Sequence, residues 1–64
     1  MNKNEFLTKC RELLIQHGRT EVDVVWLGDM SEETILTLLE LHETHKIRVT
    51  DFAPGGIISK FALI

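Results

Sequence analysis

Between Asp29 and Ile47 the chain reads DMSEETILTLLELHETHKI, and its apolar positions recur at helical spacing. Ile35, Leu38, Leu39 and His42 share one face, with Leu41 and His45 beside them, and this face is expected to meet the core. Leu36 falls with Thr37, Glu40 and Thr44 on the expected outer face, either as an ordinary exposed leucine or as a contact residue. Ser31 is the expected N-cap, because its hydroxyl can accept from an amide of the first turn. Glu32 and Glu33 then sit where the helix dipole favours negative charge. Met30 and Ile35 have the spacing of a hydrophobic staple.

Upstream, Phe6, Cys10, Leu13, Leu14 and His17 predict a first helix, flanked by Leu7 and Ile15. Asn2 is expected to cap it, with Glu5 reaching back, and Gly18 to end it in the left-handed conformation. The segment from Arg19 to Asp29 has two readings. Val22, Val24 and Trp26 alternate as in a strand, whereas Val22, Val25 and Trp26 have helical spacing, with Thr20 as cap and Asp23 at the third helical position. The short helix is preferred on the larger pattern given below, and Gly28 ends the element in either case. Trp26 is expected to anchor in the core. After Lys46 the pattern changes to period two: IRVTDF and IISKFALI flank Ala53, Pro54, Gly55 and Gly56, which predicts a C-terminal β-hairpin.

Composition narrows the class. At 64 residues with 44% hydrophobic content, the chain is expected to form one domain, residues 1–64, whose core is just sufficient without staples. The lone Cys10 excludes an internal disulfide, and its expected role is that of a small buried hydrophobe and not a nucleophile. No apolar run is long enough to span a membrane, and the N-terminal residues lack the apolar core of a signal peptide, so a cytoplasmic location without a membrane partner is expected. A net charge of −3 works against indiscriminate nucleic-acid binding, while leaving room for a local basic patch.

The order helix, short helix, helix, hairpin resembles a winged helix-turn-helix domain of the small bacterial or phage regulator type. The resemblance is carried by HGR at 17–19, WLGDMSEETI at 26–35, the spaced Leu39 and IRV at 47–49. Similar words in bacterial regulators of the sugar-operon repressor type end the first helix, form the turn, start the recognition helix and open the wing. In size the chain is similar to stand-alone winged-helix regulators of fimbrial operons and to phage excisionases. The implied fold is α+β, a small winged-helix-like domain of two to three helices followed by the hairpin. The implied DNA-binding residues are Ser31, Thr34 and Thr37 on the recognition helix beside Glu32 and Glu33, and Arg19, Arg48 and Lys60 around it, with the loop from Pro54 to Gly56 as wing. The chain departs from this pattern in its short second helix and in Leu36 and Thr37, which stand where consecutive basic residues are usual. No Lys or Arg occurs between Arg19 and Lys46, His42 stands where a core Leu is usual, and Lys46 where a Gly commonly closes the helix.

Other chemistry is sparse. His42 and His45 are three apart, and His17 is the only other histidine, but no HExxH or CxxC word supports a metal site, and none is expected. Gly55 and Gly56 lie between strands and lack the strand-to-helix setting of a phosphate loop. No carboxylate pair is set apart as acid and base, so neither an enzyme nor a cofactor is expected. Two functions remain. The first is a DNA-binding regulator of transcription, acting as a homodimer or beside a partner. The alternative is a protein-interaction module, an adaptor or inhibitor on the same fold, using the acidic helix through Leu36, Thr37, Glu40 and Thr44 or the hairpin edge.

Overall fold

Asn2 opens the first helix as its sequence implies: in the computed structural model, which describes residues 2–64, its side chain accepts from the amides of Asn4 and Glu5. Helix α1 runs Lys3–His17 and buries Phe6, Cys10 and Leu13. It ends at Gly18 with φ 62°, a left-handed conformation that costs glycine nothing sterically. There the amides of Gly18 and Arg19 donate to Ile15 O and Leu14 O at 3.3 and 3.1 Å, which satisfies carbonyls of the last turn.

The segment with two readings adopts both. Strand β1 is only Val22–Asp23, and a 3₁₀ helix, Val24–Leu27, follows it directly. Asp23, not Thr20, is the cap: its carboxylate accepts from the Val25 amide at 3.0 Å. Val22, Val24 and Leu27 are buried, Trp26 is half-buried against the core, and Gly28 ends the turn with φ 66°. The expected short α-helix is therefore replaced by a strand and a 3₁₀ turn. Val22 gains a place in the sheet that a helix starting at Glu21 would deny it.

Helix α2 spans Glu32–Glu43, with the Ser31 hydroxyl accepting from the Thr34 amide at 3.3 Å. The hairpin follows as β2, Ile47–Ala53, and β3, Ile57–Leu63. The turn between them closes through Gly56 N to Ala53 O at 3.2 Å. All three strands form one antiparallel sheet in the order β1-β3-β2, with Val22 opposite Phe61 and Ile47 opposite Leu63. Register shifts flank Asp51: Val49 faces Phe61, Asp51 faces Lys60 and Phe52 faces Ile58, so Thr50 and then Ser59 are passed over.

The described residues form a compact α+β domain of two α-helices and a three-stranded antiparallel sheet. Phe61 is the centre of its core, fully buried on the middle strand among Val22, Leu38, Leu41 and Cys10. Burying side chains of this size stabilises the fold by about 1.5–3 kcal/mol each.

Candidate functional site

The face that α2 turns inward differs from the expected one. Thr34, Thr37, Leu38 and Leu41 are buried, while Leu36, Leu39 and His42 are exposed and Ile35 is half-buried. Relative to the expected stripe of Ile35, Leu38, Leu39 and His42, the helix is turned by one residue, which is about 100°. Thr34 and Thr37, expected to read DNA, are instead buried against the core. Thr37 is also lost from the alternative contact set.

Local hydrogen bonds make this inward turn affordable for two hydroxyls. Thr37 Oγ1 donates to Glu33 O at 2.8 Å, one turn back in its own helix. Thr34 Oγ1 donates to Asp29 Oδ2 at 3.4 Å, and Asp29 Oδ1 accepts from the Ser31 amide at 2.9 Å. With partners in place, burying a threonine does not incur the penalty of an unsatisfied polar group. Among the described residues, no buried side-chain nitrogen or oxygen lacks a partner.

The outward turn creates an apolar face. Leu36 is 56% and Leu39 38% exposed, and Met30, Phe52 and Ile57 also present large apolar surface. Met30, Ile35, Leu38, Leu39, Ile57 and Ile58 line one shallow groove between α2 and the hairpin. Its volume of about 10 Å³ is far below the roughly 300 Å³ at which small-molecule sites begin. At the hairpin end the face continues through His42, whose ring meets Phe52 edge-on at a centroid distance of 6.3 Å. The contour suits a macromolecular surface better than a small ligand.

Charge around this face is acidic. Glu32, Glu40 and Glu43 are exposed on the helix, and α2 carries no Lys or Arg. Glu32 and Glu40 stand one turn before and one turn after Leu36, and Glu43 one turn after Leu39. Glu40 leans the other way to an ion pair with Lys3 of α1. Thr44, the C-terminal cap, is exposed, and its hydroxyl donates to Glu40 O at 2.8 Å. The alternative contact set is thus split: Leu36 looks outward, and Glu40 and Thr44 lie towards Lys3.

The residues expected at a DNA interface are dispersed. Arg19 and Lys60 line a groove of about 230 Å³ with Thr20, Glu21, Asp23 and Trp26, and neither Ser31 nor Arg48 takes part. Lys60 lies in register with Asp23 of β1 on one side and Asp51 of β2 on the other, so two carboxylate-bearing residues flank it across the sheet. Ser31 is occupied as a cap, and Arg48 is exposed on β2 opposite Ala62. A different basic cluster exists: Lys3, Arg11 and Lys46 line a groove of about 360 Å³ with Leu7, Leu41 and Leu63.

Cys10 is fully buried, and burial pushes its thiol up from an ordinary value near 9.0 to about 11, against the smaller opposing pull of Lys9 and Arg11. Such a thiol is a poor nucleophile at neutral pH. Among the described residues, no group of three or more His, Cys, Asp or Glu side chains is placed to hold a metal ion. Among the described residues, no helix is long and apolar enough to cross a membrane. Comparison with protein-family models, with curated proteins and with solved structures finds no significant match.

The surface residues missed in the sequence are Met30, Ile35, Leu39, Phe52 and Ile57. Phe52 carried a usable signal, because it falls with the polar Arg48 and Thr50 in the alternation of its strand. Leu39 carried none, since apolar residues occupy most of the helix circumference between Ile35 and Leu41.

Proposed function

We propose that this chain is a non-enzymatic protein-interaction module whose contact surface is the outer face of α2 together with the hairpin. The observation that carries this reading is the apolar surface that Leu36 and Leu39 present, with Met30, Phe52 and Ile57 also exposed, on a helix with no Lys or Arg. Clustered apolar side chains rimmed by polar ones mark contact surfaces, and phosphates would find no Lys or Arg on this helix. Its test is reconstitution. A protein captured from the native host by the wild-type chain is purified and titrated against wild type and Leu36→Asp. Loss of binding by at least about tenfold in the variant supports the reading, and unchanged affinity for every captured protein overturns it.

A DNA-binding regulator on a winged-helix-like fold is the second reading. It is supported by α2 leading directly into the C-terminal hairpin, although β1 and a 3₁₀ turn stand where that pattern has a second helix. Its basic contacts would come from Arg19, Arg48 and Lys60 at the margins and not from α2. A gel shift on host genomic fragments at low salt that disappears with Arg48→Ala and Lys60→Ala would establish it in place of the first.

A further inference from the structure

We infer that the occupant of the α2–hairpin face is an amphipathic segment of another protein whose apolar residues are rimmed by Lys or Arg. The inference rests on the interaction reading above and adds the chemistry of the partner.

The apolar part fixes one half of that chemistry. Met30, Ile35, Leu39 and Ile57 border a groove too shallow for a compact ligand, and Leu36 and Phe52 extend the face beyond it. A helix or strand laying several apolar side chains along such a face gains area that no single pocket here provides. Charge fixes the other half. Every formally charged side chain from Glu21 to Glu43 is acidic, with Glu32 and Glu43 one turn from the exposed leucines on α2 while Glu40 pairs with Lys3. On the hairpin side, Asp51 precedes Phe52, Lys60 lies in register with Asp51 and Asp23, and Arg48 is the exposed base of β2, four residues before Phe52. A basic rim would therefore meet opposite charge around the leucines, and an acidic rim like charge.

The same argument disfavours a second copy of the chain. A twofold pairing through α2 would set Glu32 and Glu43 of one copy against the corresponding acids of the other, since a twofold contact presents the same patch on both sides.

The probe is a labelled synthetic amphipathic helix with a Leu and Phe stripe rimmed by Lys, compared with the same peptide rimmed by Glu, titrated by anisotropy against the full chain. The Lys-rimmed peptide is expected to bind at least about tenfold more tightly at low salt. Its advantage shrinks as salt screens the rim, and Glu32→Lys with Glu43→Lys reverses the preference. Equal binding of the two peptides that is still abolished by Leu36→Asp would overturn the basic-partner inference while leaving the interaction reading intact. Binding insensitive to both Leu36→Asp and Leu39→Asp would overturn the two together. Sedimentation of the chain alone showing a dimer that Leu36→Asp dissociates would replace the basic segment with a second copy. Circular dichroism of each variant confirms that it is folded.

Discussion

His17, the last residue of α1, stacks face to face on Trp26 of the 3₁₀ turn, with ring centroids 3.8 Å apart and planes 5° from parallel. The contact joins the end of the first helix to a segment that has no long regular structure of its own. Aromatic stacks of this kind contribute about 1 kcal/mol beyond their buried area. His17→Ala should therefore lower stability by about that amount, and the melting temperature by about 4–8 °C for a domain of this size. Thermal unfolding followed by Trp26 fluorescence checks it, and an unchanged melting temperature would show that the stack contributes nothing.

Thr34 is 1% exposed and Leu36, two residues later, is 56% exposed. Their contrast predicts opposite tolerance to the same charge. Thr34→Asp would place a carboxylate in the core beside Asp29, whose Oδ2 lies 3.4 Å from Thr34 Oγ1. It should destabilise the fold by about 3 kcal/mol or more, as buried unpaired charges do. Leu36→Asp should change stability by less than about 0.5 kcal/mol. Urea unfolding of both variants decides it; equal losses would place α2 in the orientation expected from its leucines.

That orientation marks the limit of what the sequence reveals. Caps were legible because they depend on local chemistry: Asn2, Ser31, Gly18 and Gly28 all stand at the ends they announce. The hairpin was legible from its alternation and its Pro-Gly-Gly loop, and the buried face of α1 from Phe6, Cys10 and Leu13. The phase of α2 was not, because Ile35, Leu36, Leu38, Leu39 and Leu41 leave no clear polar side between them. Two threonines then occupy inward positions that hydropathy assigns to leucine, since their hydroxyls are satisfied within a few residues. The brief strand at Val22 was hidden for a different reason: its pairing with Phe61 spans most of the chain and leaves no local mark.

His45 is the one non-glycine residue with positive φ among the described residues, at 59°. It holds the position that ends α2, where the amide of Lys46 donates to Leu41 O at 2.9 Å and that of His45 to His42 O at 3.2 Å. The sequence pattern pointed to Lys46 as the residue standing in for a helix-closing glycine, and the backbone places that role one residue earlier. A side chain here bears the left-handed strain of about 1–2 kcal/mol, partly offset in the variant by glycine's greater freedom when unfolded. His45→Gly should therefore stabilise the domain by about 0.5–1 kcal/mol, whereas Lys46→Gly should not. Denaturant midpoints of the two variants are the measurement, and a stabilised Lys46→Gly would reverse the assignment.

Burial at Cys10 makes the thiol both a reporter and a pH-sensitive element of the core. Its value is raised from about 9.0 to about 11 on folding, so the native state holds the proton more tightly than the unfolded chain. The sign follows from proton counting. Below about pH 9 both states keep the proton and the core is at full strength, and above it the unfolded state loses the proton first. Stability contributed by this site therefore declines as pH rises from about 9 towards 11. Cys10→Ala, which has no thiol to ionise, should show a shallower decline over that window, although it is less stable at neutral pH through the lost packing. Iodoacetamide gives an independent check at pH 8: modification of the native chain should be slow and should accelerate on adding urea, because the thiolate is the reactive form and only the unfolded chain exposes it. Rapid alkylation of the folded protein would mean that α1 opens at Cys10 without global unfolding, and would remove this thiol from the rigid part of the core.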